Sequence, residues 1–340
     1  MVAFYVNRLN DIENMKRVNI GGQAVLEGVM MKGPKSYALA VRKPNKEIEV
    51  KVTDYLSLGE RYKALQIPII RGIANFLESL YIGMKTLMDS SEYFEEEETA
   101  GKNNSEETNV VKNDDESDKG KKDEKKDSSN TAYLVGTLAV SLIIAIGVFM
   151  LLPAFLANFL YKVIDNDFVV NLAEGLLRLA IFLGYVALIA QMEDIKRTFM
   201  YHGAEHKSIN CMEAGMDLTV ENVRKASRFH KRCGTSFVFI VMFISIFVFM
   251  FVRTDVMWLR LVSRVALIPV IAGISYEFIR YAGKHQNACS NILSAPGLWV
   301  QKLTTKEPDD DMIEVAIKSV EGVIDWHEYV ECVRNDSFEK

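Results

Sequence analysis

The sequence predicts a mainly α-helical, polytopic membrane protein with about four transmembrane helices and a small cytoplasmic α+β region at its N-terminus. Three observations carry that expectation. Residues 131–160, 172–192, 235–252 and 259–281 are apolar over lengths at or near the roughly 20 residues that cross a bilayer. Lys and Arg crowd one polar segment, 193–232, which holds eight of them, while the short 161–170 connection holds only Lys162. Upstream of the apolar stretches, a region of different character reads as strands. Apolar helices also fill soluble cores, but four in a chain of 340 residues argue for lipid.

Composition agrees. With 49% hydrophobic residues and a net charge of −5, the chain is too polar to be fully embedded and too apolar for an ordinary soluble protein. The acidity is local: residues 92–130 hold 14 acidic and seven basic side chains, so the overall balance identifies no partner. The four cysteines, Cys211, Cys233, Cys289 and Cys332, lack the paired spacing of a disulfide framework and are expected as reduced thiols. Residues 1–16 have no apolar core or cleavage site of a signal peptide.

In chain order, residues 1–62 form the expected α+β region. Gly21 to Met31 is glycine-spaced and apolar around one carboxylate, Glu27, without the spacing of a nucleotide fingerprint. Residues 37–42 and 47–52 read as two strands joined by a Lys43-Pro-Asn-Lys46 turn. Within 63–91, residues 69–88 carry apolar side chains at helical spacing, interrupted by Arg71, Glu78 and Lys85. That pattern predicts an amphipathic helix on the membrane or against the spans, with a re-entrant path after Pro68 as the alternative. Residues 92–130 bury too little apolar surface to fold and read as a disordered acidic linker.

Two spans follow in 131–192, a cytoplasmic His-rich segment in 193–234, two more spans in 235–282, and a cytoplasmic C-terminal segment in 283–340. Glu174 and Arg178 stand four apart in the second span, as an ion pair would. Trp299 reads as an interfacial anchor, and 308–323 as an amphipathic helix with acids in its first turn. The charge asymmetry puts both termini and the 193–232 segment in the cytoplasm of a multi-pass inner-membrane protein.

The chemistry concentrates in the His-rich segment. Three of the five histidines lie between positions 202 and 230, two of them in Tyr201-His-Gly-Ala-Glu-His-Lys207. His202 and His206 project from one face of a helix, as two imidazole ligands must. H-x-x-E-H is also the signature of inverted zinc peptidases, in which the glutamate activates water. His230 and Cys233 follow just before the third span. Two arrangements are open. A catalytic site would use His202, His206 and one carboxylate, Glu277 first and Glu213 second, with Glu205 as base. A closed structural site would use His202, His206, His230 and Cys233, with Cys211 as a substitute. Zinc leads among divalent metals. Lys207, Arg228, Lys231 and Arg232 could meet lipid phosphates or simply enforce topology. No aromatic-interleaved basic stripe suggests nucleic acid.

Several blocks in order resemble the YqhQ-like family of bacterial membrane proteins: Gly21–Met31, Pro68-Ile-Ile-Arg-Gly72, Tyr201–Lys207, Arg232-Cys-Gly-Thr-Ser236 and Ala295-Pro-Gly-Leu-Trp299. The resemblance implies a metal-dependent enzyme of unassigned reaction, with His202, Glu205, His206, His230 and Cys233 as its site. We therefore expect a metal-dependent hydrolase acting on a membrane-proximal substrate or protein partner, in contact with membrane lipids and open to homo-oligomerisation. The alternatives are a scaffold whose histidine cluster is structural and, behind it, a transporter subunit using Glu174, Arg178 and Glu277.

Overall fold

The structure is a computed structural model that describes residues 20–103, 136–137, 139–160, 162–252, 256–284 and 288–338. The protein is mainly helical with one small antiparallel sheet. Its chain divides into two units, one of residues 1–97, 184–244 and 268–340, the other of residues 98–183 and 245–267.

In the first unit, strands β1 (Gly21–Val25), β2 (Gly28–Lys32), β3 (Ser36–Arg42) and β4 (Ile48–Asp54) form a meander in the order β1-β2-β3-β4. The glycine-spaced segment is thus a hairpin, with Val25 paired to Gly28. Glu27 takes φ 48° at its turn, a conformation uncommon for a side-chain-bearing residue. β3 and β4 are the two strands read from the sequence, each one residue longer, β4 starting one residue later and ending two later.

Period-two alternation divides the sheet into two apolar faces. Val29, Met31 and Ala40 join one core with Tyr201, Ala204, Ile209 and Met212 of helix α5 (Glu193–Glu213) and Ile313, Ala316 and Val320 of α11 (Asp310–Glu321). Met30, Leu39 and Val41 face the other way, towards Ile82 of α2 (Ile70–Asn103). Because both faces are covered, β2 and β3 read as nearly continuous apolar runs. A single helical turn, α1 (Leu58–Arg61), leads from the sheet towards α2.

Helix α2 runs to Asn103, past residue 92, where the acidic linker was expected to begin. The rest of that linker, residues 1–16, and the start of the first span lie outside the described residues. At the base of α2, Arg71 forks onto Glu277 of α9 (Ile268–Lys284), with Nε 2.6 Å from Oε1. Gly72 and Gly273 let the two helices meet closely: a Cβ at Gly72 would stand 2.9 Å from the Gly273 Cα. The remaining helices are α6 (Val220–Lys225), α10 (Ala288–Thr304) and α12 (Trp326–Phe338). Helix α10 continues through Pro296 where the sequence suggested only an interfacial stretch, and Trp299 on it is exposed.

Among the described residues, three helical segments are long and apolar enough to cross a membrane: Ala139–Leu160, Asp167–Ile189 and Trp258–Ala282. The first contains a π-helical turn, Gly147–Leu151, before α3 (Leu152–Leu160); the second is α4. The third is divided at Leu267 into α8 (Met257–Ala266) and α9, just before Pro269, whose ring removes a backbone donor. The expected span over 235–252 is α7 (Gly234–Met250), whose 17 residues rise only about 26 Å.

In the second unit Glu174 bonds Arg178 at 2.7 Å, as the spacing predicted, and also Arg264 at 2.6 Å, which the sequence did not announce. Arg178 donates to Ser245 at 3.2 Å, and both guanidinium groups lie over the Phe249 ring. All three charged side chains are buried.

Candidate metal centre

The site is built on α5. Burial is continuous from Gly203 to Cys211 except at Asn210, so this polar stretch is core rather than surface. Gly203 lies against the 304–308 chain: a Cβ there would run into the Lys306 carbonyl oxygen, while the Lys306 N–H donates to Phe199 O at 2.8 Å. The glycine that weakens helix propensity is therefore required by packing.

Successive α5 side chains grip the backbone of the chain that returns towards α7. His206 Nδ1 donates to Arg228 O at 2.7 Å, and Asn210 donates to Ser227 O and Phe229 O at 2.6 and 3.0 Å. Lys207 donates to Arg224 O and Ala226 O at 2.9 and 3.0 Å and reaches Glu307 at 2.9 Å. Lys207 is thus buried and committed, and cannot serve as the lipid-facing cation the sequence allowed. Arg228 leans towards Glu307 at 3.8 Å, and Lys231 donates to Asn291 at 2.8 Å.

On the next turn His202 Nδ1 donates to Thr304 O, at the end of α10, at 2.9 Å. Both rings thus spend Nδ1–H on a carbonyl and turn Nε2 inward, the arrangement that fixes a ligating tautomer. Cys233, just before α7, completes the group: its Sγ is 3.2 Å from His202 Nε2, and the offered atoms of His202, His206 and Cys233 lie within 4.8 Å of one another. Tetrahedral zinc with ordinary bond lengths separates such a nitrogen and sulfur by about 3.6 Å, so a small adjustment admits the ion. These three residues could hold a metal ion, and an N,N,S donor set suits zinc.

Glu205 stands beside the group, Oε2 3.8 Å from His202 Nε2 and 4.0 Å from His206 Nε2. It is buried against the backbone of β1: a Cβ at Gly22 would lie 2.7 Å from Glu205 Cγ. The ionisation of the group follows from this crowding. Burial opposes charge on His202, but the Cys233 sulfur and the Glu205 carboxylate outweigh it and raise its pKa to about 9. Burial likewise opposes the Cys233 thiolate, yet His202 and His206 hold its pKa well below the ordinary thiol value.

Other expected residues lie elsewhere. Glu277, the first candidate for a third ligand, is held by Arg71. Glu213, the second, accepts from Arg232 and meets His230 Nε2 at 3.4 Å. His230 is therefore drawn to an acid, and Gln301 of α10 brackets its backbone, accepting from its N–H at 2.9 Å and donating to its carbonyl at 2.8 Å. Cys211 faces the carbonyl of Asp217 at 3.5 Å, and burial pushes its thiol up to about 11, so it is a core residue rather than a substitute ligand. Glu27 pairs with Arg197, Nε to Oε1 at 2.6 Å, and accepts from the Tyr201 hydroxyl at 3.3 Å, tying the β1–β2 turn to α5. Sequence reading placed a close backbone approach at Gly21, Gly22 or Gly28 but missed that Glu205 is what approaches Gly22, and it missed the two carbonyls that orient the imidazoles.

The group opens onto a cavity of about 190 Å³ whose lining includes His202, Glu205, His206, His230 and Cys233 together with Gly21, Gly22, Gln23 and Lys32.

A mainly helical chain with a small sheet, three helices among the described residues long and apolar enough to cross a membrane, and a largely buried His-His-Cys group defines the class of protein at hand. A family described as a protein of unknown function, DUF1385, matches residues 67–326, and the chain belongs to it. The uncharacterized protein YqhQ of Bacillus subtilis (strain 168) is 39% identical over 309 residues, covering 88% of this chain and 90% of that protein. No solved structure matches.

Proposed function

We propose that this protein is a zinc-dependent hydrolase acting at the cytoplasmic face of a bacterial membrane. The observation that carries the reading is the convergence of His202 Nε2, His206 Nε2 and Cys233 Sγ on one wall of a cavity, with a non-ligating carboxylate, Glu205, beside them. Three protein ligands with room for a fourth partner is the pattern of catalytic rather than structural zinc. The pairing of His230 with Glu213 favours this over a closed four-ligand site.

When bound, zinc supplies Lewis acidity that brings the ionisation of water towards neutral pH. The chain's own residues do the rest. Thr304 O and Arg228 O hold the two rings with Nε2 facing inward. Glu205 Oε2 takes the proton of an attacking water and returns it to the leaving group, work worth roughly 10²- to 10⁴-fold in rate. Gly22 sets how closely that carboxylate is pressed towards the imidazoles. The same reading takes Gly234–Met250 as a fourth span and both termini as cytoplasmic, with membrane lipids around the chain.

The test uses full-length, zinc-loaded protein in detergent with chromogenic ester and phosphodiester substrates. Glu205→Gln should keep its zinc and lose at least a hundredfold in turnover. Turnover unchanged in Glu205→Gln, or no turnover in wild type, would favour a scaffold whose metal only fixes the cap. One observation supports a second reading, a thiolate–imidazole dyad: the 3.2 Å approach of Cys233 Sγ to His202 Nε2. It requires activity that survives chelation.

A further inference from the structure

Next to the metal cavity lies a second, larger one of about 490 Å³, and the two share Lys32, Arg232, Gly21 and Ser79 on their walls. Its lining includes three cations, Lys32, Arg232 and Arg280, and hydroxyls from Tyr276, Ser57 and Ser79, but no Asp or Glu; the Tyr55 hydroxyl also lines it and is engaged by Glu78 behind the wall. We infer that this antechamber binds the phosphate of a phosphate-bearing substrate, an inference that rests on the hydrolase reading and names the class of molecule presented to that site.

The charges are incompletely spent. Arg280 forms no hydrogen bond or ion pair within 4 Å among the described residues; it acts on Glu277, one turn earlier on α9, only through its charge, while Arg71 holds that carboxylate directly. Lys32 approaches Glu78 only to 3.9 Å, beyond hydrogen-bond reach, and lies over the Tyr55 ring at 4.5 Å. Arg232 gives one nitrogen to Glu213, but its buried Nε–H lacks an acceptor among the described residues. A buried donor without a partner calls for an acceptor from outside the chain. Three separated cations with phenolic and hydroxyl donors suit the several oxygens of a phosphate better than the two of a carboxylate. The volume exceeds what a phosphate alone needs, so the rest of the ligand shares the chamber. Of the cations that sequence reading offered to lipid phosphates, Lys207 is committed within the fold, whereas Arg232 lines this cavity.

The experiment titrates full-length protein in detergent with inorganic phosphate and with dihexanoyl phosphatidic acid, a water-soluble lipid, before and after chelation of metal. Zinc content and chromogenic turnover are measured in parallel. Wild type should bind both probes, chelation should change their affinity less than twofold, and the Lys32→Gln/Arg280→Gln pair should weaken it at least tenfold while retaining zinc. Phosphatidic acid binding tenfold tighter than phosphate assigns the site to a lipid headgroup; equal affinity assigns it to a soluble phosphate compound. If the double variant does not fold, Arg280→Gln alone carries the comparison, with a loss of at least threefold expected. No binding to wild type, or undiminished binding to the variant, overturns the inference. So does binding abolished by chelation alone, since the phosphate then sits on the metal. Turnover with intact zinc would in each case leave the hydrolase reading standing.

Discussion

At the scale of single residues, the centre depends on contacts of very different visibility. The pairing of His202 with His206, the intervening Glu205 and the nearby Cys233 are legible because helical spacing and short sequence distance bring them together. The carbonyls of Thr304 and Arg228 are not legible, because any residue offers one and only the fold brings those two to the rings. Gly22 is an intermediate case, a glycine whose role exists only once α5 packs on β1. Gly22→Ala should push Glu205 aside and cost about 1–3 kcal/mol by overpacking. Thermal unfolding in detergent checks the stability loss, and turnover should fall with it. The raised pKa of His202 gives a pH signature. Below about 9 His202 holds a proton that zinc must displace, and His206 is shifted in the same direction, whereas the two imidazoles pull the Cys233 pKa well below the ordinary thiol value. Zinc affinity should therefore rise roughly tenfold per pH unit per displaced proton and level off above pH 9. Affinity flat between pH 7 and 9 in competition with a chromophoric chelator would contradict that account.

At the scale of elements, β3, β4 and α11 follow from alternation, turn chemistry and capping, whereas β1 and β2 read only as a glycine-spaced apolar segment. Asp309 accepts from Met312 N–H at 2.9 Å at the start of α11, where the sequence placed acids in a first helical turn. Helix α10 was not legible, because Pro296 and Gly297 are breakers by local rule and their place is set by tertiary contact. Gly297 is needed where α10 meets the start of α7: a Cβ there would stand 2.7 Å from Ser236 Oγ. Further along α10, fully buried Gln301 locks the strap that carries His230 and Cys233. Gln301 also donates to the Ser236 hydroxyl at 2.8 Å, so Gln301→Leu leaves the His230 N–H and carbonyl and that hydroxyl without this partner and should cost about 2–3 kcal/mol. It should also loosen zinc binding with every ligand intact; unchanged zinc affinity would show that α10 does not position the centre.

At the scale of the whole molecule, hydropathy conveys the apolar segments well and their interiors poorly. The first two expected spans correspond to long helices, the fourth is divided at Leu267 near Pro269, and α7 is short for a bilayer. Arg264 could not be assigned to Glu174 because they are 90 residues apart and share no local pattern. Glu174→Gln leaves two buried guanidinium groups without their carboxylate and should cost about 3–5 kcal/mol, read as lost monodisperse yield in detergent. The central claim, a metal held by His202, His206 and Cys233, is tested most directly by elemental analysis of protein purified without chelator, beside the His202→Ala/His206→Ala variant. The account predicts about one zinc per chain in wild type and none in the variant at an unchanged elution volume. Wild type without metal, and unable to take any up, would contradict it.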